Sequence, residues 1–150
     1  MYLKSILSSD CTQCAVLFNS KKRILQYISQ LAHQKYPELS AQDILDSLLV
    51  REKLGSTGIG NGIALPHGRL KGITKSVAIF LITEKPLNYD AIDNKPVDIF
   101  CAVLIPEQQC QEHLSTLSQI AKLLGDKSLV KQLRQSESNE ILYELIMNNT

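Results

Sequence analysis

Residues 76–83 have the sequence Ser-Val-Ala-Ile-Phe-Leu-Ile-Thr, and residues 97–105 have the sequence Val-Asp-Ile-Phe-Cys-Ala-Val-Leu-Ile. Both stretches are rich in Val, Ile and Phe and have turn residues at their ends, which is typical of β-strands. Because their apolar residues are nearly continuous, we expect a sheet that is covered on both faces. Such a sheet needs helices on both of its sides.

The segments around these strands have the apolar spacing of amphipathic helices. Ser20 is the expected N-cap of a first helix that ends before Pro37, and Ser40 caps a second helix that ends before Gly55. The other predicted elements are strands at 15–18 and 63–65 and helices at 111–124, 127–134 and 139–147. The order along the chain is therefore β-α-α-β-β-β-α-α-α, which predicts an α/β sandwich.

Length and charge narrow the class of protein. A chain of 150 residues with 44% hydrophobic and 21% charged residues predicts one globular domain over 1–150. The net charge of +1 gives no reason to expect nucleic acid or an anionic membrane as a partner. Apolar runs are far shorter than the roughly 20 residues of a membrane-spanning helix, and the first residues form no secretory signal. We therefore expect a soluble, cytoplasmic protein with no membrane insertion.

The cysteines do not predict a disulfide framework. There are four, at positions 11, 14, 101 and 110, which is few for a domain of this length. Cys11 and Cys14 match the C-x-x-C pattern of redox dithiols and of half a zinc site. Because an apolar run follows them and no second close pair exists, we interpret them as ordinary small thiols.

Residues 51–69 hold five of the seven glycines of the chain. A glycine-rich backbone adopts positive φ or approaches another group closely. Two nucleotide motifs fail here: Asn61 and Gly62 stand where a Walker A loop needs Lys and Ser or Thr, and Ile63 replaces the third glycine of a dinucleotide fingerprint. We predict no nucleotide cofactor.

This segment ends in Pro66-His67-Gly68. The proline fixes the backbone and the glycine removes side-chain bulk, so His67 is presented at a strand end with open space beside it. A neutral imidazole can attack phosphorus, and the resulting P–N bond is labile enough to pass the phosphoryl group onward. The alternative is a half-buried histidine with a structural role in a turn.

The local charge favours an anion at this place. Residues 50–75 contain five basic residues and one acidic residue. Free N–H groups of a glycine-rich loop form anion cradles, and an arginine can hold a phosphoryl group in a bidentate manner. The candidate ligands of a phosphoryl group are Arg51, Ser56, Thr57, Asn61 and Gly68. His113, in the first turn of a predicted helix, is a second candidate donor, or else an ordinary exposed residue.

Four stretches across nearly the whole chain form a recognisable set. They are 20–23 (Ser-Lys-Lys-Arg), 51–69, 90–98 (Asp-Ala-Ile-Asp-Asn-Lys-Pro-Val-Asp) and 113–118 (His-Leu-Ser-Thr-Leu-Ser). With them the chain resembles the IIA domains of the bacterial phosphotransferase system, in the mannitol/fructose/nitrogen class and most closely in its nitrogen-regulatory type. One departure is Ser115, where some nitrogen-type members have a further histidine.

The resemblance implies a three-layer α/β/α sandwich with a mixed sheet. It implies that His67 accepts a phosphoryl group, expected on Nε2 as tele-phosphohistidine, from a phosphocarrier similar to HPr. Arg51 matches the arginine of the family motif, and His113 matches the second family histidine. The resemblance implies no metal and no cofactor. A homodimer stays open.

The expected function is that of a phosphocarrier with a mainly regulatory role. Phosphorylation of His67 would then decide which proteins are bound, with sensor kinases or transporters as expected targets. Two alternatives are a sugar-specific IIA subunit that passes the phosphoryl group to a IIB protein, and a binding module of the same fold that is never phosphorylated. A metal site formed by His67, His113 and a cysteine is a further alternative.

Overall fold

A computed structural model describes residues 3–108 and 110–150, without the side chains of residues 110 and 112–114. The helices are α1 (Leu3–Ile6), α2 (Lys21–Lys35), α3 (Ala41–Lys53), α4 (Cys110–Leu123), α5 (Lys127–Arg134) and α6 (Asn139–Asn148). The strands are β1 (Leu7–Val16), β2 (Gly58–Gly60), β3 (Ile63–Ala64), β4 (His67–Leu70), β5 (Val77–Leu87) and β6 (Val97–Pro106).

The strands form one mixed sheet. Its order is β1-β5-β6-β3-β2, and β4 also pairs with β6. The two long strands β5 and β6 are antiparallel, whereas β1 is parallel to β5, and β3 and β4 are parallel to β6. Strands β3 and β4 thus follow one another along the same strand, β6, with Leu65 and Pro66 between them.

Apolar side chains of the central strands alternate between two cores. Ile79 and Leu81 of β5 belong to the core that α2 and α3 cover. Phe80 and Ile82 belong to the core that α4, α5 and α6 cover. Burying one such side chain contributes about 1.5–3 kcal/mol, so both helical layers are needed to keep β5 and β6 out of water. This arrangement confirms the three-layer α/β/α sandwich.

The predicted helices form close to their expected bounds because local signals specify them. Ser20 Oγ accepts a hydrogen bond from the Arg23 N–H, and Ser40 Oγ accepts one from the Asp43 N–H, each at 3.2 Å. These bonds satisfy N–H groups that a helix start otherwise leaves unpaired. None of the helices in the described ranges is long and apolar enough to cross a membrane.

The prediction of a first strand at 15–18 is wrong in its bounds. Strand β1 starts eight residues earlier, at Leu7, and ends at Val16. Strand β1 lies at the edge of the sheet, and its residues 8–10 are Ser-Ser-Asp. This part of the strand therefore lacks the continuous apolar pattern that predicts a central strand. The short elements α1, β2 and β4 were not predicted, so the described chain has five strands between α3 and α4 instead of three.

The C-x-x-C pair lies in β1, where it cannot act as a dithiol. Cys11 is buried in the core under α2 and α3, whereas Cys14 packs against the opposite core. Burial raises the pKa of the Cys11 thiol and raises that of Cys101 to about 12, so neither is a ready nucleophile. The interpretation of the described cysteines as ordinary thiols is consistent with these positions; the side chain of Cys110 lies outside the described residues.

Candidate functional site

His67 is the first residue of β4 and pairs with Val103 of β6. It follows Pro66, whose carbonyl accepts a hydrogen bond from the Val103 N–H at 2.9 Å. The His67 ring nitrogen Nδ1 lies 2.9 Å from the Leu65 carbonyl oxygen. Because a carbonyl oxygen only accepts, Nδ1 carries the proton, and Nε2 is left with a lone pair.

The surroundings of His67 favour its neutral form. Burial lowers the pKa of the imidazole below its ordinary value, and the positive charge of Arg51 lowers it further. The Leu65 carbonyl and the Glu52 carboxylate act in the opposite direction, but the net shift is downward. The ring is therefore unprotonated near neutral pH, which is the state that a nucleophilic nitrogen needs.

Arg51 and His67 line the same cavity, which has a volume of about 660 Å³. Arg51 lies in the last turn of α3, and its Nη1 donates a hydrogen bond to the Gly55 carbonyl at 2.8 Å. The rim of the cavity is apolar, because Val50 and Leu54 are 62% and 81% exposed. The cavity thus combines a nucleophilic ring, a guanidinium group and an apolar rim.

Arg69 is a functional candidate that the sequence did not single out. It lies two residues after His67 on β4, so both side chains point to the same face of the sheet. Arg69 also lines the cavity. The alternation of a strand would have indicated this pairing, but β4 itself was not predicted.

Gly68 allows α3 to pack closely on β4. A Cβ atom at this position would lie 2.6 Å from the Ser47 Oγ and 2.8 Å from the Ser47 carbonyl oxygen. The missing side chain therefore lets α3 carry Arg51 to the cavity that His67 lines. A contact between Gly68 and a phosphoryl group stays a prediction.

The hydroxyl groups of Ser56 and Thr57 make bonds within the protein. Ser56 Oγ donates to the Tyr89 carbonyl at 3.0 Å and accepts from the Gly58 N–H at 3.1 Å. Thr57 is buried, and its Oγ1 donates to the Glu52 carboxylate. Both hydroxyls stabilise the glycine-rich loop, and their predicted contact with a phosphoryl group stays untested.

Asn61 lies in the turn between β2 and β3 with a φ of 58°. Its N–H donates to Asp93 Oδ2 at 3.0 Å, and its carbonyl accepts from Arg134 Nη2 at 2.8 Å. Arg134 also holds Asp98 through both Nε and Nη2. Asn61 is not among the described residues that line the cavity. The structure therefore does not bring it together with His67 and Arg51.

His113 lies in α4, the helix in which it was predicted. Its side chain is outside the described residues, so its role as a second donor stays a prediction. Among the described residues, no three His, Cys, Asp or Glu side chains form a group that could hold a metal ion. The alternative of a metal site that includes His113 is therefore not tested.

A polar network that starts at the residue after Arg51 was not predicted either. Its centre is Glu52, whose side chain is 5% exposed and whose Oε1 lies 2.9 Å from Lys21 Nζ. Lys21 Nζ in turn lies 4.6 Å from the centre of the Tyr89 ring. Burial, and to a lesser degree Glu52, raise the pKa of Tyr89, so its hydroxyl stays protonated. Because Thr57 Oγ1 already donates its proton to Glu52, the Tyr89 hydroxyl is the donor in their 3.3 Å contact. A signal existed in the sequence, since Glu52 is the one acidic residue within 50–75.

Comparison with known proteins gives a consistent result. The family model for the "Phosphoenolpyruvate-dependent sugar phosphotransferase system, EIIA 2" matches residues 5–149. The nitrogen regulatory proteins of Klebsiella oxytoca and of Escherichia coli (strain K12) are each 48% identical over 147 residues, which is 97% of this chain and 90% of each relative.

The crystal structure of nitrogen regulatory protein IIA-Ntr from Neisseria meningitidis superimposes with a TM-score of 0.87 at 34% identity. The match covers 96% of this chain and 98% of that one. The likeness thus extends over the cavity, the glycine-rich loop and the sheet that supports them. The chain belongs to the EIIA 2 family of the phosphoenolpyruvate-dependent sugar phosphotransferase system, and within it resembles the nitrogen regulatory proteins.

Proposed function

We propose that His67 Nε2 accepts a phosphoryl group from an HPr-like phosphocarrier and that the phosphorylation state of His67 controls the binding of regulated proteins in the cytoplasm. One observation carries the proposal: the hydrogen bond from Nδ1 to the Leu65 carbonyl leaves the Nε2 lone pair of His67 available, and His67 lines the same cavity as Arg51. The phosphorylated product is therefore tele-phosphohistidine.

The transfer needs no metal or cofactor for its balance of atoms and electrons. The Nε2 lone pair forms a bond to phosphorus while the P–N bond of the donor phosphohistidine breaks, and that bonding pair returns to the donor ring. Nδ1 keeps its proton, and the Leu65 carbonyl stabilises the ring as it loses electron density. Arg51 offsets the negative charge of the phosphoryl oxygens in a cavity where apolar walls strengthen the attraction.

The same geometry supports the proposed regulatory role. Phosphorylation of His67 adds up to about two negative charges to a cavity with an apolar rim. A partner that packs on Val50 and Leu54 would meet either a neutral ring or a dianion. We propose sensor kinases and transporters as the classes of regulated protein. We also propose that the whole chain, 1–150, acts as one domain.

The proposal is tested by intact-mass spectrometry of the protein after incubation with phosphoenolpyruvate, enzyme I and the HPr-type carrier. We expect one acid-labile addition of about 80 Da, which is absent from His67→Ala. His33→Ala is the matched control, because the His33 Nδ1 also contacts a backbone carbonyl, that of Leu39, but the ring is not part of the cavity. A His113→Ala variant measures the contribution of the second family histidine.

Two other outcomes would change the assignment. If the wild type gains no mass while another IIA domain is phosphorylated in the same mixture, the protein is a binding module that is not phosphorylated. If the phosphorylated protein passes its group rapidly to a fructose- or mannitol-type IIB protein, the role is sugar transport instead of regulation.

A further inference from the structure

The Glu52 carboxylate is buried and binds the glycine-rich loop at Thr57. Its Oε1 accepts a hydrogen bond from the Thr57 N–H at 3.1 Å, and its Oε2 accepts one from Thr57 Oγ1. Lys21 lies 2.9 Å from Oε1 and offsets the buried negative charge. Hydrogen bonds to a charged group contribute more than those between neutral groups, so Thr57 is fixed in both its main chain and its side chain.

A chain of hydrogen bonds continues from Thr57 to the nucleophile. The Thr57 carbonyl accepts a bond from the Leu65 N–H at 3.0 Å. The Leu65 carbonyl accepts the bond from His67 Nδ1 at 2.9 Å. Residue 65 thus faces the loop through its N–H and the imidazole through its carbonyl. Thr57 is therefore linked through Leu65 to the acceptor that selects the tautomer of His67.

The same carboxylate also stabilises the loop that holds Arg51. Glu52 is the next residue after Arg51 at the end of α3, and Arg51 Nη1 donates to the Gly55 carbonyl two residues before Thr57. Two adjacent residues at the end of α3 therefore fix the two ends of this loop: Arg51 bonds to Gly55, and Glu52 bonds to Thr57. Both carboxylate oxygens of Glu52 are engaged by Thr57 and Lys21, and Glu52 is not among the described residues that line the cavity with His67.

We propose that Glu52 is a positioning residue for phosphoryl transfer, which sets the orientation and tautomer of the His67 ring through Thr57 and Leu65. The proposal rests on the proposed function of His67 as phosphoryl acceptor. With Thr57 fixed, Nδ1 holds the proton and Nε2 is the nucleophile. Without the carboxylate, the Leu65 carbonyl is displaced and the ring populates its other tautomer, in which Nε2 carries the proton and cannot attack phosphorus.

The test compares Glu52→Gln and Glu52→Asp with the wild type. Gln keeps the length of the side chain and loses the charge, whereas Asp keeps the charge and is too short to reach Thr57. We expect both variants to be phosphorylated about tenfold more slowly or worse at equal donor concentration, since small misplacements of reacting groups cost up to about 100-fold. We also expect ¹⁵N NMR of the His67 ring to show a larger share of the tautomer with the proton on Nε2.

The matched control is Asp10→Asn. It also removes a carboxylate that pairs with a lysine, Lys35, at 2.8 Å, but at an exposed position of β1 outside the cavity. It should leave the rate and the His67 resonances unchanged. Thermal unfolding of each variant checks that the protein is folded at the temperature at which the rates are compared.

Three results would overturn the proposal. The first is a wild-type rate in Glu52→Gln. The second is full recovery in Glu52→Asp, which would mean that charge alone matters. The third is a slow rate with an unchanged tautomer, which would mean that Glu52 acts on the loop and not on the ring. The tautomer measurement needs no phosphoryl donor, so it tests the positioning even if the wild type is not phosphorylated, a result that would refute the proposed function separately.

Discussion

Replacing Gly68 with alanine should move helix α3 away from strand β4. The new Cβ would lie 2.6 Å from Ser47 Oγ and 2.8 Å from both the carbonyl carbon and the carbonyl oxygen of Ser47. Real Cβ contacts are longer than 3.0 Å, and two of the three atoms belong to the helix backbone. Side-chain rotation therefore cannot relieve the overlap, and the helix must shift by several tenths of an ångström.

The expected loss follows from the cost of overpacking, which is about 1–3 kcal/mol for an added methyl group in a close-packed interior. For a chain of this length, a loss of 2 kcal/mol corresponds to a fall in Tm of about 4–8 °C. Because α3 carries Arg51, we also expect phosphorylation of His67 to slow by about tenfold or more. Chemical denaturation and the time course of phosphorylation measure the two effects.

Two further variants make this test specific. Gly72→Ala should also lose about 1–2 kcal/mol, since Gly72 has a φ of +86° with no atom near its Cβ position, but it should keep the wild-type rate of phosphorylation. Ser47→Ala should not rescue Gly68→Ala, because the backbone contacts remain. Wild-type stability and rate in Gly68→Ala would refute the argument that this glycine sets the distance between α3 and β4.

Two other predictions concern pH and the turn that contains Asn61. The pKa of His67 is lower in the folded protein than in the unfolded chain, so the unfolded chain binds a proton first as the pH falls below about 6.5. The contribution of His67 to stability is therefore constant above about pH 6.5 and is lost as the pH falls from that value to the pKa of the folded protein. An NMR titration of the His67 ring should give a midpoint below 6.5, and phosphorylation should persist to the same lower pH; a midpoint at or above 6.5 would contradict the burial argument. Arg134→Ala should cost about 1 kcal/mol in urea unfolding, because the half-exposed bidentate bond to Asp98 and the bond to Asn61 are both lost. Arg134→Lys should recover only part of that loss, and full recovery would mean that charge, rather than the planar geometry of the guanidinium, holds the turn.

Local signals predicted the part of the fold that local interactions specify. The serine caps of α2 and α3 act within three residues, and the apolar runs of β5 and β6 result from burial on both faces. Strand β1 has no such signal. It is held from outside its own sequence, for example by the bond from the Cys14 N–H to Asn139 Oδ1, 125 residues away. Edge strands of this kind are specified by what covers them, and the sequence does not show that directly.

The candidate site divides in the same way. His67 and Arg51 were predictable because a glycine-rich loop, a local positive charge and a presented imidazole together favour an anion. The use of Ser56 was not predictable, because its partner Tyr89 lies 33 residues further along the chain. The acceptor of the Thr57 hydroxyl, Glu52, is only five residues away, but it is fixed in place by its contact with Lys21, which is distant in sequence. Hydroxyl groups in a glycine-rich loop suit a phosphoryl group and suit a buried network equally well. Only the tertiary contacts distinguish the two uses.

The internal contacts of the loop imply a division of roles within the site. Ser56 and Thr57 donate to groups inside the protein, and the N–H of Asn61 donates to Asp93. If His67 accepts a phosphoryl group as proposed, Arg51 and Arg69 are the cations among the described residues that line the cavity and can meet its negative charge. Replacing either arginine should slow phosphorylation far more than it lowers stability, whereas replacing Thr57 should lower stability first. In the proposed transfer, the loop thus supports His67, and we expect the arginines to provide the positive charge that stabilises the phosphoryl group.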